Sequence, residues 1–314
     1  MPTYRFYQVD VFTNQAFGGN PLAVFPDAEG LTPEMMQRIA REMNLSETTF
    51  VFPPTVPGAD YKVRIFMPER ELPFAGHPVI GTQWLLAHLG RTKLQEPSVT
   101  VKFELGVGVR SSILHITNNK VTSVVMDHQK PEFGSKATAA QIAELAQSLN
   151  VPAEAILDTG WPVQMVSTGV RQLFAPLRSL KEVQGISAKK LDVSRLARVC
   201  EALDPIDQCN YELMVFCTET VHASSTVHTR MFAPGIGVPE DPATGSASGG
   251  LGAYLIENGV IAPTPPTTYI ISEQGLEMGR PSTIEIEVDG TPGDVQMIRV
   301  GGEVMPLIEG SMSW

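Results

Sequence analysis

The sequence is poor in cysteine, in basic residues and in long apolar runs. Its three cysteines, Cys200, Cys209 and Cys217, are an odd number without a C-x-x-C pair, which favours reduced, mostly buried thiols over a disulfide framework. The 23 Lys and Arg residues are outnumbered by 34 Asp and Glu, and the net charge of -11 argues against nucleic-acid and anionic-membrane partners. No segment approaches the roughly 18–20 apolar residues of a membrane span, and the first residues do not resemble a signal peptide. We therefore expect a cytoplasmic protein.

Cofactor and metal motifs are missing as well. Gly106 and Gly108 would begin a dinucleotide-binding loop only if a third glycine followed, and Ser111 stands in its place. His222 and His228 are six residues apart with no cysteine pair nearby, so we expect a solvated pair rather than a metal site. The sequence thus predicts proton-transfer chemistry without a cofactor or a metal.

The length of 314 residues suits about two domains of roughly 150 residues each, and 43% hydrophobic residues can supply both cores. The residue patterns typical of strands and helices are interrupted near residues 127–135, which indicates a domain boundary. Helix patterns cover Thr32–Met43, Thr138–Asn150 and Val193–Ala202. Alternating apolar residues predict strands over Tyr4–Phe12, Leu22–Phe25, Thr49–Phe52, Tyr61–Phe66, Val99–Phe103, Lys120–Met126, Gln164–Ser167, Leu213–Cys217, Thr226–Phe232, Tyr269–Ser272, Ile284–Val288 and Gln296–Val300.

Two further segments are too apolar for surface helices. Gly76–Gly90 contains no charged Asp, Glu, Lys or Arg, and Gly245–Gly259 contains only Glu257. A helix that is apolar or small on every side is a buried one, so each should run through the middle of its domain, wrapped by strands. A pair of buried strands is the weaker alternative because of the length.

These two segments belong to an internal repeat. Arg64–Pro68 and Arg230–Pro234 share the pattern Arg-x-Phe-x-Pro at an offset of 166 residues. The same offset pairs Asn44 with Asn210 and Phe50 with Phe216, and an offset of 169 pairs Gly76 with Gly245 and Gly90 with Gly259. We interpret the repeat as a duplicated domain with a pseudo-twofold axis and expect a site in the cleft between the halves.

The repeat is broken at Glu47, which maps onto Leu213 and therefore has no twin. A residue that departs from its own duplicate has a stronger claim to a function than a generic surface glutamate. Together with His77 and Asp241, it would form an acid–base set, because burial raises the pKa of a carboxylate toward that of a general base.

Small residues begin both buried helices. Gly76 begins the first, and Gly245 with Ser246 begins the second. Unpaired N–H groups and the helix dipole make such a terminus a ready carboxylate site. The alternative is that Thr244 or His77 simply caps the first turn of its helix, and the residues alone do not decide between capping and carboxylate binding.

Five blocks in order resemble the PhzF-like phenazine-biosynthesis family. They are Asp10–Phe12 with Phe17–Val24, Asn44–Phe50, Arg64–Pro68 with Glu71–Pro78, Glu240–Ala247, and Gln274–Gly275 with Gly279–Ser282. The resemblance implies the diaminopimelate epimerase fold, an α+β class with two pseudo-symmetric domains, each a curled, mostly antiparallel sheet around a central helix. With the boundary at the interrupted pattern, the first half is 1–128 and the second is 129–299, and the resemblance implies that a C-terminal strand at about 300–314 joins the first half.

The resemblance also implies roles for single residues. In the phenazine enzyme of that family, the Glu of the N-x-S-E-T block moves a proton between ring carbons of trans-2,3-dihydro-3-hydroxyanthranilate, and Glu47 is in that position. His77 and Asp241 then orient the substrate and relay the proton. The backbone of Gly245 and Ser246 would bind the substrate carboxylate, and Ser46 and Gly76 would line the pocket.

The epimerases of this fold use two cysteines, whose places are taken here by Ala75 and Thr244. Three interpretations remain open: an isomerase that uses Glu47 alone, a racemase or epimerase of a small amino or imino acid with Glu47 and Asp241 on opposite faces, and a non-catalytic binding protein. We expect a small-molecule carboxylate as the partner, no nucleic acid and no membrane, with a homodimer as the assembly to test.

Overall fold

Strands and separate helices alternate along the described chain, residues 2–204 and 211–314 of this computed structural model. Cys209 and Asn210, named above, lie outside the described residues. The chain divides into two units, Met1–Asp127 with Gly301–Trp314, and His128–Val300. Each unit combines a mostly antiparallel set of strands with helices, which confirms the α+β class.

The described residues of the first unit form two helices, α1 (Pro33–Met43) and α2 (Gly76–His88). Its strands are β1 (Thr3–Val11), β2 (Asn20–Phe25), β3 (Glu47–Phe52), β4 (Tyr61–Phe66), β5 (Glu71–Leu72), β6 (Ser98–Leu105), β7 (Gly108–Thr117), β8 (Lys120–Asp127) and β18 (Val304–Ser313). β1 lies antiparallel between β18 and β2, β2 runs parallel to β3, β3 antiparallel to β4, and β4 parallel to β6.

The second unit repeats this order. Its helices are α3 (Ala139–Leu149), α4 (Glu154–Leu157), α5 (Leu180–Gly185), α6 (Val193–Leu203) and α7 (Gly245–Glu257). Its strands are β9 (Glu132–Lys136), β10 (Gln164–Ser167), β11 (Arg171–Pro176), β12 (Leu213–Cys217), β13 (Val227–Ala233), β14 (Val238–Asp241), β15 (Thr267–Gln274), β16 (Ser282–Thr291) and β17 (Asp294–Gly302). Here β10 lies antiparallel between β9 and β11, β11 runs parallel to β12, β12 antiparallel to β13, and β13 parallel to β15.

The duplication extends to contacts that the identical residues alone did not indicate. Glu104, near the end of β6, accepts the backbone N–H groups of residues 55–56. Glu273, near the end of β15, accepts those of residues 221–222, which lie 166 positions further along. Equivalent carboxylates therefore hold equivalent loops: Glu104 holds the loop after β3 in the first unit, and Glu273 holds the loop after β12 in the second.

The two predicted buried helices are confirmed as α2 and α7, which are buried at nearly every position. Both end two residues before the predicted glycine, because Gly90 and Gly259 adopt left-handed φ angles of 72° and 65° that cannot continue a helix. The small residues inside the helices let strands approach closely. A Cβ on Gly252 would lie 2.6 Å from Ile286 Cγ2 of β16.

Every predicted strand overlaps an observed one, but several observed strands were missed. They are β5, β7, β9, β11 and β14, with the short helices α4 and α5. The apolar pattern did not indicate β18 either, but the resemblance implied a C-terminal strand at about 300–314. Charged and serine residues interrupt the apolar pattern of β7, and β9 is mostly exposed where an interruption was expected. β18 contains Pro306, which the β1 register places beside an irregularity, a position that proline tolerates in a sheet.

One local expectation is wrong. His222 is exposed as expected, but His228 is completely buried, with Nδ1 2.8 Å from Glu273 and Nε2 3.0 Å from Glu277. Burial lowers the pKa of His228, but the hydrogen bonds to the two carboxylates outweigh it and leave the pKa raised. The sequence missed this because the carboxylates lie 45 and 49 residues further along the chain, Glu273 on β15 and Glu277 in the 3₁₀ turn that follows it.

The described cysteines are buried, and the Gly106 and Gly108 pair lies in a turn. Cys200 and Cys217 are buried, and burial raises the pKa of the Cys217 thiol to about 12. Gly106 and Gly108 lie at the hairpin turn between β6 and β7. Among the described helices, none has the length and hydropathy needed to cross a membrane.

Candidate active site

Glu47 and His77 are brought together in the first unit. Glu47 begins β3 and His77 is the second residue of α2, and Glu47 Oε2 lies 3.2 Å from His77 Nε2. The Thr49 and Thr82 hydroxyls form a 2.8 Å hydrogen bond further along the same strand and helix, which fixes this pairing. The Glu47 and His77 side chains are only 13% and 8% exposed. The structure thus places a carboxylate and an imidazole in contact at the start of a buried helix.

The imidazole of this pair is neutral near pH 7. Burial lowers the pKa of His77 to about 3, because the protein interior disfavours the charged ring. The two facing atoms are within hydrogen-bonding distance but are not aligned as a formed hydrogen bond. A neutral imidazole has one donor and one acceptor nitrogen, so His77 Nε2 can donate a hydrogen bond to the ionised Glu47 carboxylate, or accept one from the protonated carboxyl, without adding positive charge.

Ser46 and Gly76 flank this pair. Ser46 is half-buried and directly precedes Glu47, and Gly76 is the buried first residue of α2. The preceding residue, Ala75, has no side-chain oxygen, and in the described structure no side chain caps the first turn of α2. His77 lies inside the helix, so the alternative that it caps α2 is wrong.

A second polar group surrounds the start of α7 in the second unit. The Thr244 hydroxyl donates to Asp241 Oδ2. Gln274 donates from Nε2 to the Asp241 carbonyl at 2.8 Å and to Thr244 Oγ1 at 3.1 Å, and its Oε1 accepts the Thr244 N–H at 3.2 Å. The Thr244 hydroxyl is therefore directed at Asp241, and the alternative that Thr244 caps the first turn of α7 is also wrong.

Gly245 and Ser246 are the first two residues of α7. Gly245 is buried and Ser246 half-buried. Gln172 Nε2 donates to Ser246 Oγ at 3.2 Å and to Glu212 Oε2 at 2.8 Å. The first N–H groups of an α-helix have no intrahelical acceptor and carry the positive end of its dipole, so this terminus can accommodate an anion.

Sequence reasoning missed three residues of this second group. Gln274 lies in a block that resembles the family, but no role was derived for it. Gln172 lies on β11 and Glu212 directly precedes β12, and in the sequence both resemble ordinary exposed polar residues. The repeat could have indicated Glu212, since an offset of 166 maps it onto Ser46, another departure between duplicates.

The two groups offer complementary chemistry, one in each unit. The first holds a carboxylate, which can take up and return a proton, against a neutral imidazole, and the second can bind an anion. Among residues 2–204 and 211–314, no three His, Cys, Asp or Glu side chains are grouped as a metal site.

Comparisons with known proteins give a consistent result. The profile of a family described as phenazine biosynthesis-like protein matches residues 9–310. A trans-2,3-dihydro-3-hydroxyanthranilate isomerase from Pseudomonas fluorescens is 34% identical over 312 residues, which cover 98% of this chain and 99% of that protein. The crystal structure of a Bacillus anthracis phenazine biosynthesis protein of the PhzF family has a TM-score of 0.85 at 28% identity, with 100% of both chains covered. A hydroxyproline epimerase from Agrobacterium vitis, at a TM-score of 0.61 and 13% identity, covers 98% of this chain and 92% of its own and shares the fold alone.

Proposed function

Given that this chain belongs to the phenazine biosynthesis-like family and is an isomerase, we propose that it moves a proton on a small carboxylate without a cofactor. Glu47 is the general acid and base. The proposed substrate is a cyclic diene carboxylate, of which trans-2,3-dihydro-3-hydroxyanthranilate, named for the Pseudomonas fluorescens relative, is the first to test.

The contact between Glu47 and His77 is the observation that supports this function most. A carboxylate can take a proton from a substrate carbon and return it to another carbon, and the electron pair left behind shifts the double bond. His77 is neutral, so it does not hold Glu47 in a charged pair. Its Nε2, 3.2 Å away, can orient the carboxylate and share the proton.

The start of α7 supports the choice of a carboxylate substrate. The N–H groups of Gly245 and Ser246 and the helix dipole favour an anion there, the dipole by about 0.3–2 kcal/mol. Asp241, held by Thr244 and by the neighbouring Gln274, orients the substrate and relays the proton. Ser46 and Gly76 would contact the substrate beside Glu47.

Substitution of the proposed base tests this function. Glu47→Gln is nearly isosteric, so the fold should survive, while turnover of trans-2,3-dihydro-3-hydroxyanthranilate should fall at least by the roughly 10²–10⁴-fold that general acid–base catalysis supplies. Glu71→Gln, at an exposed position of β5, is the matched control and should retain turnover. Near-normal turnover by Glu47→Gln would contradict the role of Glu47, and no turnover by the unsubstituted protein would contradict the substrate.

A further inference from the structure

Three polar side chains, two of them buried, form a hydrogen-bonded series at the start of α7. Gln172 precedes Leu173 on β11, Glu212 precedes Leu213 of the parallel neighbour β12, and the Leu173 N–H donates to the Glu212 carbonyl at 2.9 Å. Gln172 is fully buried and Glu212 is 7% exposed. The Gln172 amide nitrogen bridges Glu212 Oε2 and Ser246 Oγ.

Glu212 fixes the orientation of the Gln172 amide. An amide can be turned so that oxygen and nitrogen exchange places, and its neighbours decide the orientation. A carboxylate only accepts hydrogen bonds, so the amide nitrogen must face Glu212, and its second hydrogen is then directed at Ser246. Gln172 Oε1 consequently points away and has no donor among the described residues, a costly arrangement for a buried amide.

This arrangement determines what the Ser246 hydroxyl can do. Its oxygen accepts a hydrogen from Gln172, so its own hydrogen is free to be donated elsewhere. We propose that Gln172, held by Glu212, is a positioning residue that aims the Ser246 hydroxyl at the carboxylate of the bound substrate. The inference rests on the anion site in the proposed function and adds the residues that prepare it.

The other half of the duplication shows that the fold does not require this series. The strand registers and the repeat offsets place Pro21, Ser46 and His77 of the first unit at the positions of Gln172, Glu212 and Ser246. The same framework of strands and helix therefore forms without the glutamine and the glutamate. Their presence in the second unit alone is consistent with a role at the start of α7.

A double-mutant cycle of ligand affinity tests the inference, with 2-aminobenzoate as a stable aromatic carboxylate probe in calorimetry. Gln172→Leu and Ser246→Ala should each weaken binding by about 10–100-fold, the value of a hydrogen bond to a charged group. Because Gln172 acts through Ser246, the double variant should bind no more weakly than Ser246→Ala alone. Gln172→Met serves if the leucine variant does not fold.

Gln164→Leu is the matched control. Gln164 is also buried, but it accepts a hydrogen bond from Asn258 at the opposite end of α7. Its replacement should leave probe affinity unchanged.

Glu212→Gln keeps an acceptor oxygen for Gln172 and should rescue the affinity that Glu212→Leu loses. With the substrate, Gln172→Leu should raise KM more than it lowers kcat, since ground-state binding is what it weakens.

The outcomes separate the two proposals. Weaker binding by Ser246→Ala with normal binding by Gln172→Leu, or additive effects in the double variant, would overturn the inference and leave the anion site intact. Unchanged binding by Ser246→Ala would overturn the inference alone, because that variant keeps the backbone N–H groups of the anion site. No binding of the probe to the unsubstituted protein would contradict the anion site and with it both proposals.

Discussion

At the scale of single residues, the duplicated units supply different chemistry at equivalent positions. Glu47 stands where the second unit has Leu213, and Asp241 where the first has Leu72. Such departures could be read from the sequence, because the repeat itself provides the comparison. The sequence grouped Glu47 with His77, but the atoms that face each other there, and the contact of Asp241 with Thr244, depend on side-chain directions that only the folded backbone determines.

The neutral state of His77 predicts how stability depends on pH. Its pKa is about 3 in the folded protein against 6.5 for the exposed ring, so below about pH 6.5 the unfolded state binds more protons. The contribution of the neutral His77 ring to the free energy of unfolding is fully present above pH 6.5 and is lost as the pH falls toward 3. The free energy of unfolding, measured with urea at pH 7, 5 and 4, should therefore fall less steeply with decreasing pH in His77→Gln than in the unsubstituted protein.

His222→Gln is the control for this experiment, because His222 is exposed. Its pH dependence should match that of the unsubstituted protein. His128, which burial also keeps at a lowered pKa of about 4, will maintain part of the slope in every variant. A slope in His77→Gln equal to that of the unsubstituted protein would show that His77 is not buried as a neutral ring.

At the scale of elements, α2 and α7 bring the proposed site residues to the helix starts. Their existence and burial were predictable from the near-absence of charge, and their first residues from the glycines. The missed strands have a different cause. β9, and β18, which only the resemblance implied, are held by pairing with β10 and β1 and not by an apolar pattern of their own.

The close approach of strands to α7 predicts the effect of enlarging its glycines. Gly252→Ala improves helix propensity by about 1 kcal/mol, but its Cβ would lie 2.6 Å from Ile286 Cγ2. Overpacking of a buried contact costs about 1–3 kcal/mol, so the free energy of unfolding should fall in a urea titration. Gly185→Ala, at the end of α5 with open space around its Cβ, should be neutral or stabilising. A stabilised Gly252→Ala variant would contradict the tight packing of α7.

At the scale of the whole molecule, the repeat predicts equivalent contacts in the two units, and burial decides how much each contributes to the free energy of unfolding. Arg64 pairs with Glu71 at 2.6 Å and lies over the Phe66 ring, and Arg230 pairs with Glu240 at 2.8 Å. Arg230 likewise lies over its own aromatic neighbour, Phe232. The sequence indicated both arginines but not their environments. The first pair is partly exposed, whereas the Arg230 side chain is 4% exposed and also donates to two backbone carbonyls.

Equivalent substitutions in the two units should therefore differ in cost. Glu240→Ala removes both hydrogen bonds that a carboxylate accepts from a buried guanidinium, whose other carboxylate neighbour, Glu277, is 3.9 Å away, and should lower the free energy of unfolding by about 3–5 kcal/mol. Glu71→Ala removes a partly exposed pair worth about 0–1 kcal/mol. Urea unfolding of the two variants measures the difference directly, and equal losses would mean that the two arginines are not as differently buried as the structure places them.

The central claim is that Glu47 moves one proton within a carboxylate substrate, and turnover of trans-2,3-dihydro-3-hydroxyanthranilate in D₂O tests it most directly. Proton NMR and mass spectrometry should show a product with a shifted double bond and no more than one solvent deuterium, on the carbon that received the proton, and Glu47→Gln should form none. A compound of unchanged bonding with deuterium on an inverted carbon would instead indicate a racemase with two bases, and would contradict the claim.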